Sequence, residues 1–416
     1  MKKKTLLVSL DALGESDKEI FEGLDGFSYL IKNGAYVERV QSVYPSLTYP
    51  CHATIVSGRE PRETGIVNNL LLQPSKEDKD WFWYEKYIKG DTIFRAAKRK
   101  GLKTGGVLWP VAGAGSIDKL VPEILPQAFM NNQVLAALSA GDPVTLLKAE
   151  KDHGSLRQGL SQPQLDDYVE AVFLDLVRDE SLDIVCAHFI GVDAMKHDFG
   201  PGSKEVEEAI GYYNQRIKKI LKTLEEEGTP FNVFFFSDHS HLSVDKGIRL
   251  NSFFNDEGYL TIKNDKIFKH KYYMQEAGGA AYIYSNKTTE KMDEKLYKDL
   301  VSLGQKEGIF EKVLTRREAK DLGADPDCLF MIEARSGYTF IDGFDGDLIE
   351  EKIDLKGNHG YDPRREGYGA VFFALGEDIK NTRIKEANLV DLGPTVDELL
   401  DLGLEGAAGR PLDIFK

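Results

Sequence analysis

The stretch "TLLVSLDAL" (residues 5–13) decides the fold that this sequence predicts. It opens with a short, almost continuous apolar run, a pattern typical of a strand that is buried on both faces of a sheet. Similar apolar runs recur further along the chain, at residues 104–110, 183–189, 232–238 and 369–375. Each of these runs is therefore predicted to be a buried strand.

Amphipathic helical stretches separate the apolar runs. One of them, "EVEEAIGYYNQRIKKILKTLEEEG" (residues 205–228), ends on Gly228, and glycine is a typical helix stop. Buried strands that alternate with helices predict a layered α/β/α fold around a central, mostly parallel sheet. Ligands of such sheets bind beyond the carboxyl ends of the strands, so the residues that follow each apolar run are the first candidates for a site.

Two segments depart from this alternation. Residues 251–349 predict a smaller α+β insertion that serves as a lid or cap, whereas residues 1–250 and 350–416 form the core. Residues 110–180 contain a helical excursion, around 120–160, near the predicted strand ends. We therefore expect the core to carry the site, and the insertion and the excursion to build the pocket around it.

Composition narrows the classes of partner. The formal net charge of −15 in 416 residues disfavours binding of nucleic-acid polymers, because their phosphate backbones would be repelled. A small anionic substrate is compatible with this charge if metal ions reverse it locally. The three cysteines are odd in number and widely spaced, so no disulfide framework is predicted.

The apolar run near the N-terminus is too short for a signal peptide, and no run along the chain approaches the length of a membrane span. We therefore expect a cytoplasmic protein without a membrane partner. No sequence pattern indicates an oligomeric state.

Aspartate and histidine residues gather at the predicted strand ends. The candidates, in chain order, are Asp11, Asp193, His197, Asp238, His239 and His359. A mixture of imidazole nitrogen and carboxylate oxygen suits zinc. Asp193 and His197 are four residues apart and share one face of a helix, and Asp238 and His239 converge only if the strand ends there. Taken singly, these residues also fit surface ion pairs or helix caps.

In this order, the motifs resemble the alkaline-phosphatase superfamily, and within it the type I phosphodiesterase / nucleotide pyrophosphatase family. The matching segments are "LLVSLDAL", "PSLTYPCHATIVSGREPRETGIVNN", "LKTGGVLWP", "GVDAMKHDFGPGS", "FFFSDHS", "GNHGYDP" and the closing "DLGPTVDELLDLGLEGAAGRPL". They are spread over the whole chain apart from the insertion and most of the excursion.

The resemblance implies two zinc ions per chain and a role for each matching residue. Thr48, in "PSLTYPCH", matches the nucleophile of the family, which forms a phospho-threonine intermediate. Asn69 matches the asparagine that contacts a phosphoryl oxygen, and Tyr49 matches the aromatic residue that can stack on a substrate ring. The implied ligands are Asp11, Thr48, Asp238 and His239 for one zinc, and Asp193, His197 and His359 for the second.

The expected function is hydrolysis of small phosphate diesters, with nucleotides among the candidate substrates. The chemistry agrees, because a threonine hydroxyl needs a metal or a base to become a nucleophile, and two metals stabilise the attacking and leaving oxygens. A phosphomonoesterase or phosphonate hydrolase with the same metals is the main alternative. A phosphomutase and a metal-binding protein without catalysis are further alternatives.

Three features near these motifs have more than one interpretation. Cys51 and His52 could form the catalytic pair of a cysteine hydrolase, although two adjacent residues are poorly placed to contact each other in this way. His241 departs from the glycine-containing continuation of the "SDH" motif, and an outer contact to a ligand, a substrate contact or an ordinary polar residue all fit. Trp81, Trp83 and Tyr84 form an aromatic cluster. It fits either the packing of a loop onto the core or the wall of a substrate pocket.

Overall fold

The computed structural model describes residues 3–125 and 132–416, and its strands lie within these ranges. They are β1 (Lys4–Leu10), β2 (Ala35–Gln41), β3 (Thr104–Val107), β4 (Lys119–Val121), β5 (Ile184–Phe189), β6 (Phe231–Phe236), β7 (Leu242–Ile248), β8 (Leu260–Lys263), β9 (Lys266–His270), β10 (Tyr272–Ala277), β11 (Ala280–Ser285), β12 (Phe310–Thr315), β13 (Phe330–Ala334), β14 (Gly337–Phe340), β15 (Ile349–Glu350), β16 (Gly357–Asn358), β17 (Ala370–Gly376) and β18 (Thr382–Asn388).

The α-helices alternate with these strands in the first half of the chain. They are α1 (Lys18–Glu22), α2 (Asp25–Asn33), α3 (Thr48–Ser57), α4 (Pro61–Thr64), α5 (Ile93–Arg99), α6 (Gln133–Ala140), α7 (Pro143–His153), α8 (Gln164–Arg178), α9 (Gly191–Phe199), α10 (Lys204–Glu227), α11 (Leu250–Asp256), α12 (Glu290–Glu307), α13 (Arg316–Asp321) and α14 (Leu392–Leu400). Within the described ranges, every helix is too short or too polar to cross a membrane.

A central eight-stranded sheet, in the order β18-β2-β17-β6-β1-β5-β3-β4, organises the fold. All five predicted strands belong to it. Its neighbours pair in parallel except at β17, which runs antiparallel to both β6 and β2. Every residue of β1 is buried, as its apolar run predicts. The predicted layered fold with a mostly parallel sheet is therefore confirmed.

Helices cover both faces of this sheet. Apolar residues of α3, α5 and α14 pack on one face, and those of α2, α8 and α10 pack on the other. The amphipathic stretch that predicts a long helix forms α10, and Gly228 ends it with a φ of 61°, in the left-handed region that glycine adopts readily. The sheet is thus buried between two helical layers, and polar side chains can gather only at the ends of its strands.

The predicted insertion contains a second, antiparallel sheet in the order β10-β11-β13-β12, with α12 beside β12. It has its own apolar cluster, which extends to residues of the core segment such as Tyr44 and Tyr361. Strand β7 lies before residue 251 but pairs with β14 inside the insertion. The division at residues 250 and 350 remains a prediction.

The excursion begins with β4, the edge strand of the central sheet beside β3, and is helical from residue 133 onward. Helices α6, α7 and α8 occupy residues 133–178. Residues 126–131, part of the stretch predicted to be helical, lie outside the described residues.

Candidate active site

Three neighbouring strands of the sheet, β6, β1 and β5, bring the candidate residues to one edge. Asp11 directly follows β1, and Asp193 lies in the first turn of α9, just after β5. Asp238 and His239 follow β6, where the strand has ended and both side chains turn inward. Helix α3 begins at the same edge with Thr48.

A first group of donors surrounds one imidazole nitrogen. The Nε2 atom of His239 lies 3.2 Å from Thr48 Oγ1 and 3.3 Å from Asp238 Oδ2. The same nitrogen lies 3.5 Å from Asp11 Oδ1. Both carboxylate oxygens are buried, and no donor among the described residues reaches them. Because buried carboxylate oxygens are normally paired, these unpaired atoms fit a bound cation.

A second group of donors surrounds Asp193. Its Oδ2 lies 3.5 Å from His197 Nε2, and its Oδ1 lies 3.9 Å from His359 Nε2. The Nδ1 atoms of these two histidines are used elsewhere, since His197 donates to the Gly357 carbonyl (2.9 Å) and His359 to the Ser46 carbonyl (3.0 Å). This outer hydrogen bonding leaves both Nε2 atoms free to act as metal ligands.

His241 also belongs to the second group. The sequence patterns had left the role of this residue open. Its Nε2 atom lies 2.7 Å from Asp193 Oδ1, and its side chain is fully buried. Ligand atoms of Asp193, His239, His241 and His359 all lie within 4.8 Å of one another. The sequence signal was the departure after "SDH", where a second histidine stands two residues beyond His239.

The electrostatics of the carboxylates differ between the two groups. Burial, together with the negative charge of Asp193, raises the pKa of Asp11 well above its usual value. Burial and the nearby Asp11 carboxylate raise the pKa of Asp238 in the same way. Burial also opposes ionisation of Asp193, but the imidazoles of His197 and His241 outweigh it and hold its pKa well below the usual range.

Burial favours the neutral form of His239, His241 and His359, and neutral imidazole is the form that binds metals. Burial lowers the pKa of His359 to about 4. Burial and the proximity of His359 lower the pKa of His239 well below its usual value. Neutral imidazoles beside unpaired buried carboxylates fit divalent cations, so both groups could hold metal ions.

Thr48 occupies the first position of α3, where the helix presents its positive end to the site. The next backbone N–H, that of Tyr49, donates to Asn69 Oδ1 at 3.0 Å. This hydrogen bond uses the amide oxygen of Asn69 and leaves its amide nitrogen as a donor. The arrangement is compatible with the predicted roles of Thr48 and Asn69, which remain predictions.

Cys51 and His52 do not form a catalytic pair. The Cys51 thiol is buried 3.1 Å from Ser42 Oγ, and burial raises its pKa well above the usual value, so a thiolate is disfavoured. His52 is also buried, and it donates through Nδ1 to the Thr48 carbonyl at 2.8 Å. His52 therefore supports the start of α3, and the cysteine-hydrolase alternative has no geometric support.

A buried ion pair fixes α9, the helix that carries Asp193 and His197. Lys196 Nζ lies 2.6 Å from Asp17 Oδ2, and both side chains are buried. At the N-terminus of the helix, the buried Asp166 carboxylate accepts the Gly191 N–H at 3.1 Å. These contacts hold the second group against the loop after β1.

The insertion fixes the loop that carries His359. The Gly279 N–H donates to the His359 carbonyl at 2.7 Å. A Cβ at Gly278, whose φ is 66°, would lie only 2.1 Å from the same carbonyl oxygen. Only glycine allows this close approach, so the insertion contributes to the geometry of the second group.

Sequence comparison identifies the family. The sequence profile of the type I phosphodiesterase / nucleotide pyrophosphatase family matches residues 5–362, a range that includes both donor groups. The chain belongs to this family. The family suggested by the motifs at the strand ends is thereby confirmed.

Relatives within the family are distant and longer. An ectonucleotide pyrophosphatase/phosphodiesterase of Caenorhabditis elegans is 25% identical over 417 residues, which cover 98% of this chain and 43% of the relative. Human ectonucleotide pyrophosphatase/phosphodiesterase family member 1 is 27% identical over 281 residues, which cover 63% of this chain and 26% of the relative. The chain therefore spans less than half the length of these two relatives.

Solved structures of the family have the same fold. Murine ectonucleotide pyrophosphatase/phosphodiesterase 5 gives a TM-score of 0.72 at 21% identity, with 100% of both chains covered. An inactive variant of that murine protein, solved in complex with AMP, gives a TM-score of 0.71 at 21% identity over 98% of each chain. At this identity the similarity establishes the fold alone.

The family resemblance predicts that the ring of Tyr49 can stack on a substrate, but the surroundings of this ring do not provide an exposed stacking surface. Its ring is 0% exposed and packs edge-on against Trp81 and Trp83, with ring centroids 5.3 and 5.7 Å away. This burial weighs against direct stacking of Tyr49 on a substrate, a role that remains a prediction. Trp81 is only half-buried and offers the more accessible aromatic surface.

A cavity of about 520 Å³ adjoins the first group. Its lining is mainly apolar and comes mostly from the excursion, with Trp81, Trp83 and His188 on the other side. His188 Nε2 lies 3.0 Å from Asp11 Oδ2, so the cavity extends to the residues around the first group. Burial raises the pKa of Glu123, another lining residue, to about 8, which keeps much of this wall uncharged at neutral pH.

Proposed function

We propose that this protein is a zinc-dependent hydrolase of small phosphate diesters, with Thr48 as its nucleophile. The convergence of Thr48 Oγ1, Asp11 and Asp238 around His239 Nε2, at 3.2–3.5 Å, carries the proposal. Two buried oxygens of this group have no donor among the described residues. A threonine hydroxyl beside such a cation-binding group is suited to nucleophilic attack.

The two groups would each hold one zinc ion. The first is formed by Asp11, Thr48, Asp238 and His239, and the second by Asp193, His197 and His359. Bound zinc would lower the pKa of the threonine hydroxyl and offset the negative charge that develops on the phosphoryl oxygens.

The reaction has two displacements at phosphorus. Thr48 Oγ1 attacks the diester, the bond to the leaving alkoxide breaks, and the threonine proton passes to that alkoxide. Water then attacks the phospho-threonine, which releases a phosphate monoester and restores the Thr48 hydroxyl. Asn69 donates its amide N–H to a non-bridging oxygen, and the N-terminus of α3 stabilises the same negative charge.

The substrate is a small diester with an aromatic or apolar ester group, and nucleotides are the first candidates. Family membership supports this class, as does the AMP complex of the murine neighbour. The cavity beside Asp11 provides an apolar wall, including Trp81, for one of the two ester groups. The net charge of −15 disfavours long polyanions as substrates.

The test compares two esters on the full chain loaded with zinc. We expect the p-nitrophenyl ester of a nucleoside monophosphate to have a higher kcat/KM than p-nitrophenyl phosphate at matched pH and zinc. Exhaustive chelation should abolish both activities, and added zinc should restore them. A clear preference for the monoester would indicate a phosphatase with the same site, and activity that survives chelation would contradict metal dependence.

Cytoplasmic location is a further proposal that rests on the sequence and on the state of the cysteines. All three cysteines are free and buried, which is compatible with a reducing compartment. Fractionation of the producing cells, followed by detection with an antibody, would test it, and recovery outside the cytoplasm would contradict it.

A further inference from the structure

His241 has no role implied by the family resemblance, yet it lies inside the cluster of metal-binding side chains. It stands in the loop between β6 and β7, the same loop that carries Asp238 and His239. Its side chain is fully buried, and its Nε2 atom contacts Asp193 Oδ1 at 2.7 Å. No partner among the described residues reaches its Nδ1 atom.

The imidazoles of the second group surround His241. Its ring centroid is 4.5 Å from that of His197 and 5.0 Å from that of His359. Burial of so many imidazoles around one carboxylate is costly for a group that serves only packing. A cation that accepts several nitrogen donors would compensate for this cost.

We propose that His241 is an additional nitrogen ligand of the second metal. The complete set is then Asp193, His197, His241 and His359. The inference rests on the proposed function in one respect, namely that the second group binds a metal ion.

This assignment gives the second group three imidazoles and one carboxylate. Such a set favours zinc, cobalt, nickel and copper over magnesium, manganese and calcium, which prefer oxygen ligands. The first group offers two carboxylates, a hydroxyl and one imidazole, and it should discriminate less. The second group should therefore hold zinc more tightly than the first.

The competing role for His241 is purely one of positioning. In that case its Nε2–H donates to Asp193 Oδ1 and only orients the carboxylate. Glutamine at this position could keep a similar N–H donor but would be a poor zinc ligand. His241→Gln therefore separates the two roles, whereas His241→Ala removes both.

The experiment measures zinc binding to the purified 416-residue chain by metal analysis and by competition with a chelator. Loss of an outer hydrogen-bond partner of a ligand typically lowers metal affinity by roughly 10–100-fold. Loss of a direct ligand should therefore lower the affinity for one of the two zinc ions by more than about 100-fold. We expect this loss in both His241→Ala and His241→Gln, with the other ion unaffected. His270→Ala, a partly buried histidine of the insertion, is the matched control and should bind zinc as the wild type does.

A second measurement does not depend on the folding of a variant. Wild-type protein that has Cu²⁺ in its tighter group should give an electron paramagnetic resonance spectrum with hyperfine coupling to three imidazole nitrogens. Two nitrogens, or full retention of zinc affinity by His241→Gln, would overturn the ligand assignment. If the wild type bound no metal at this group, the proposed function itself would fail, and this outcome is distinct from the other two.

Discussion

The two donor groups lie side by side but differ in burial and in the atoms that they offer. In the first, the side chains of Asp11, Asp238 and His239 are between 0% and 3% exposed. In the second, the side chains of Asp193 and His197 are 18% and 25% exposed, whereas those of His241 and His359 are 0% and 7% exposed. The first group is rich in oxygen and contains the proposed nucleophile, whereas the second is rich in nitrogen and reaches solvent at Asp193 and His197.

This difference suggests a division of tasks. A buried group beside Thr48 is suited to activating its hydroxyl, because low exposure strengthens the interaction between a cation and the oxygen. A group that is open to solvent is suited to receiving the leaving oxygen and the water that replaces it. The same difference explains the opposite pKa shifts of Asp11 and Asp193, since Asp193 is surrounded by imidazoles and Asp11 is close to other carboxylates.

The largest expected effect comes from the hydroxyl of the first group. Thr48→Ala should lower kcat for diester hydrolysis by roughly 10³-fold or more, because covalent catalysis is lost and the first zinc loses one of its ligands. Thr48→Ser should retain part of the activity. The measurement is steady-state kinetics with a p-nitrophenyl diester, together with zinc analysis of each variant.

Two control variants accompany this prediction. Thr54→Val changes a buried threonine of the same helix whose hydroxyl has no partner among the described residues, so its activity should stay close to wild type. Cys51→Ser should also keep most of the activity. If Cys51→Ser lost its hydrolytic activity while Thr48→Ala retained it, the assignment of Thr48 as the nucleophile would be contradicted.

The second prediction concerns protons released when zinc binds. The raised pKa values of Asp11 and Asp238 keep protons in the metal-free first group, and zinc must displace them. Asp193 is already ionised, because its pKa is lowered, and burial keeps the imidazoles of His241 and His359 neutral. Zinc binding at neutral pH should therefore release protons from the first group and few from the second.

Calorimetry in buffers with different ionisation enthalpies would measure this release. For each proton released, the affinity of the first group should rise about tenfold per pH unit, until Asp11 and Asp238 are ionised without the metal. The affinity of the second group should change much less over the same range near neutral pH. Equal proton release from both groups would contradict the electrostatic difference between them.

The smallest expected effect lies outside both groups, on the aromatic wall of the cavity. Trp81→Ala should raise KM for aromatic diesters with little change in kcat, since stacking contributes roughly 1–3 kcal/mol per ring. Tyr84→Ala, an aromatic residue of the same segment that does not line the cavity, is the control. If Tyr49→Phe, which removes only the buried hydroxyl, raised KM more than Trp81→Ala, that hydroxyl would have a role that this geometry does not explain.

Much of the fold could be predicted from the sequence, because buried strands appear in it as runs of apolar residues. The runs that form β1, β5 and β6 are buried on both faces, and their polar ends identify Asp11, Asp193 and Asp238. The antiparallel direction of β17 was not readable, since a buried strand has the same pattern in either direction. Strand β18 was missed because most of its residues are at least partly exposed, so it gives no apolar run.

The sequence predicted only those site residues that lie within recognisable motifs. Local sequence placed the six aspartates and histidines at strand ends, but only tertiary packing brings His241 within 2.7 Å of Asp193. Tyr49 is covered by Trp81 and Trp83, which are more than thirty residues away in the sequence, so its burial could not be predicted from its neighbours. The cavity is formed by the excursion, the part of the chain that no motif covers.

The most direct test is the position of zinc in crystals of the 416-residue chain. Anomalous scattering measured at the zinc absorption edge should give two peaks beside Thr48. One peak should lie about 2.0–2.2 Å from ligand atoms of Asp11, Asp238 and His239, and the other at a similar distance from those of Asp193, His197 and His359. A single peak, or peaks away from Thr48, would contradict the two-metal site.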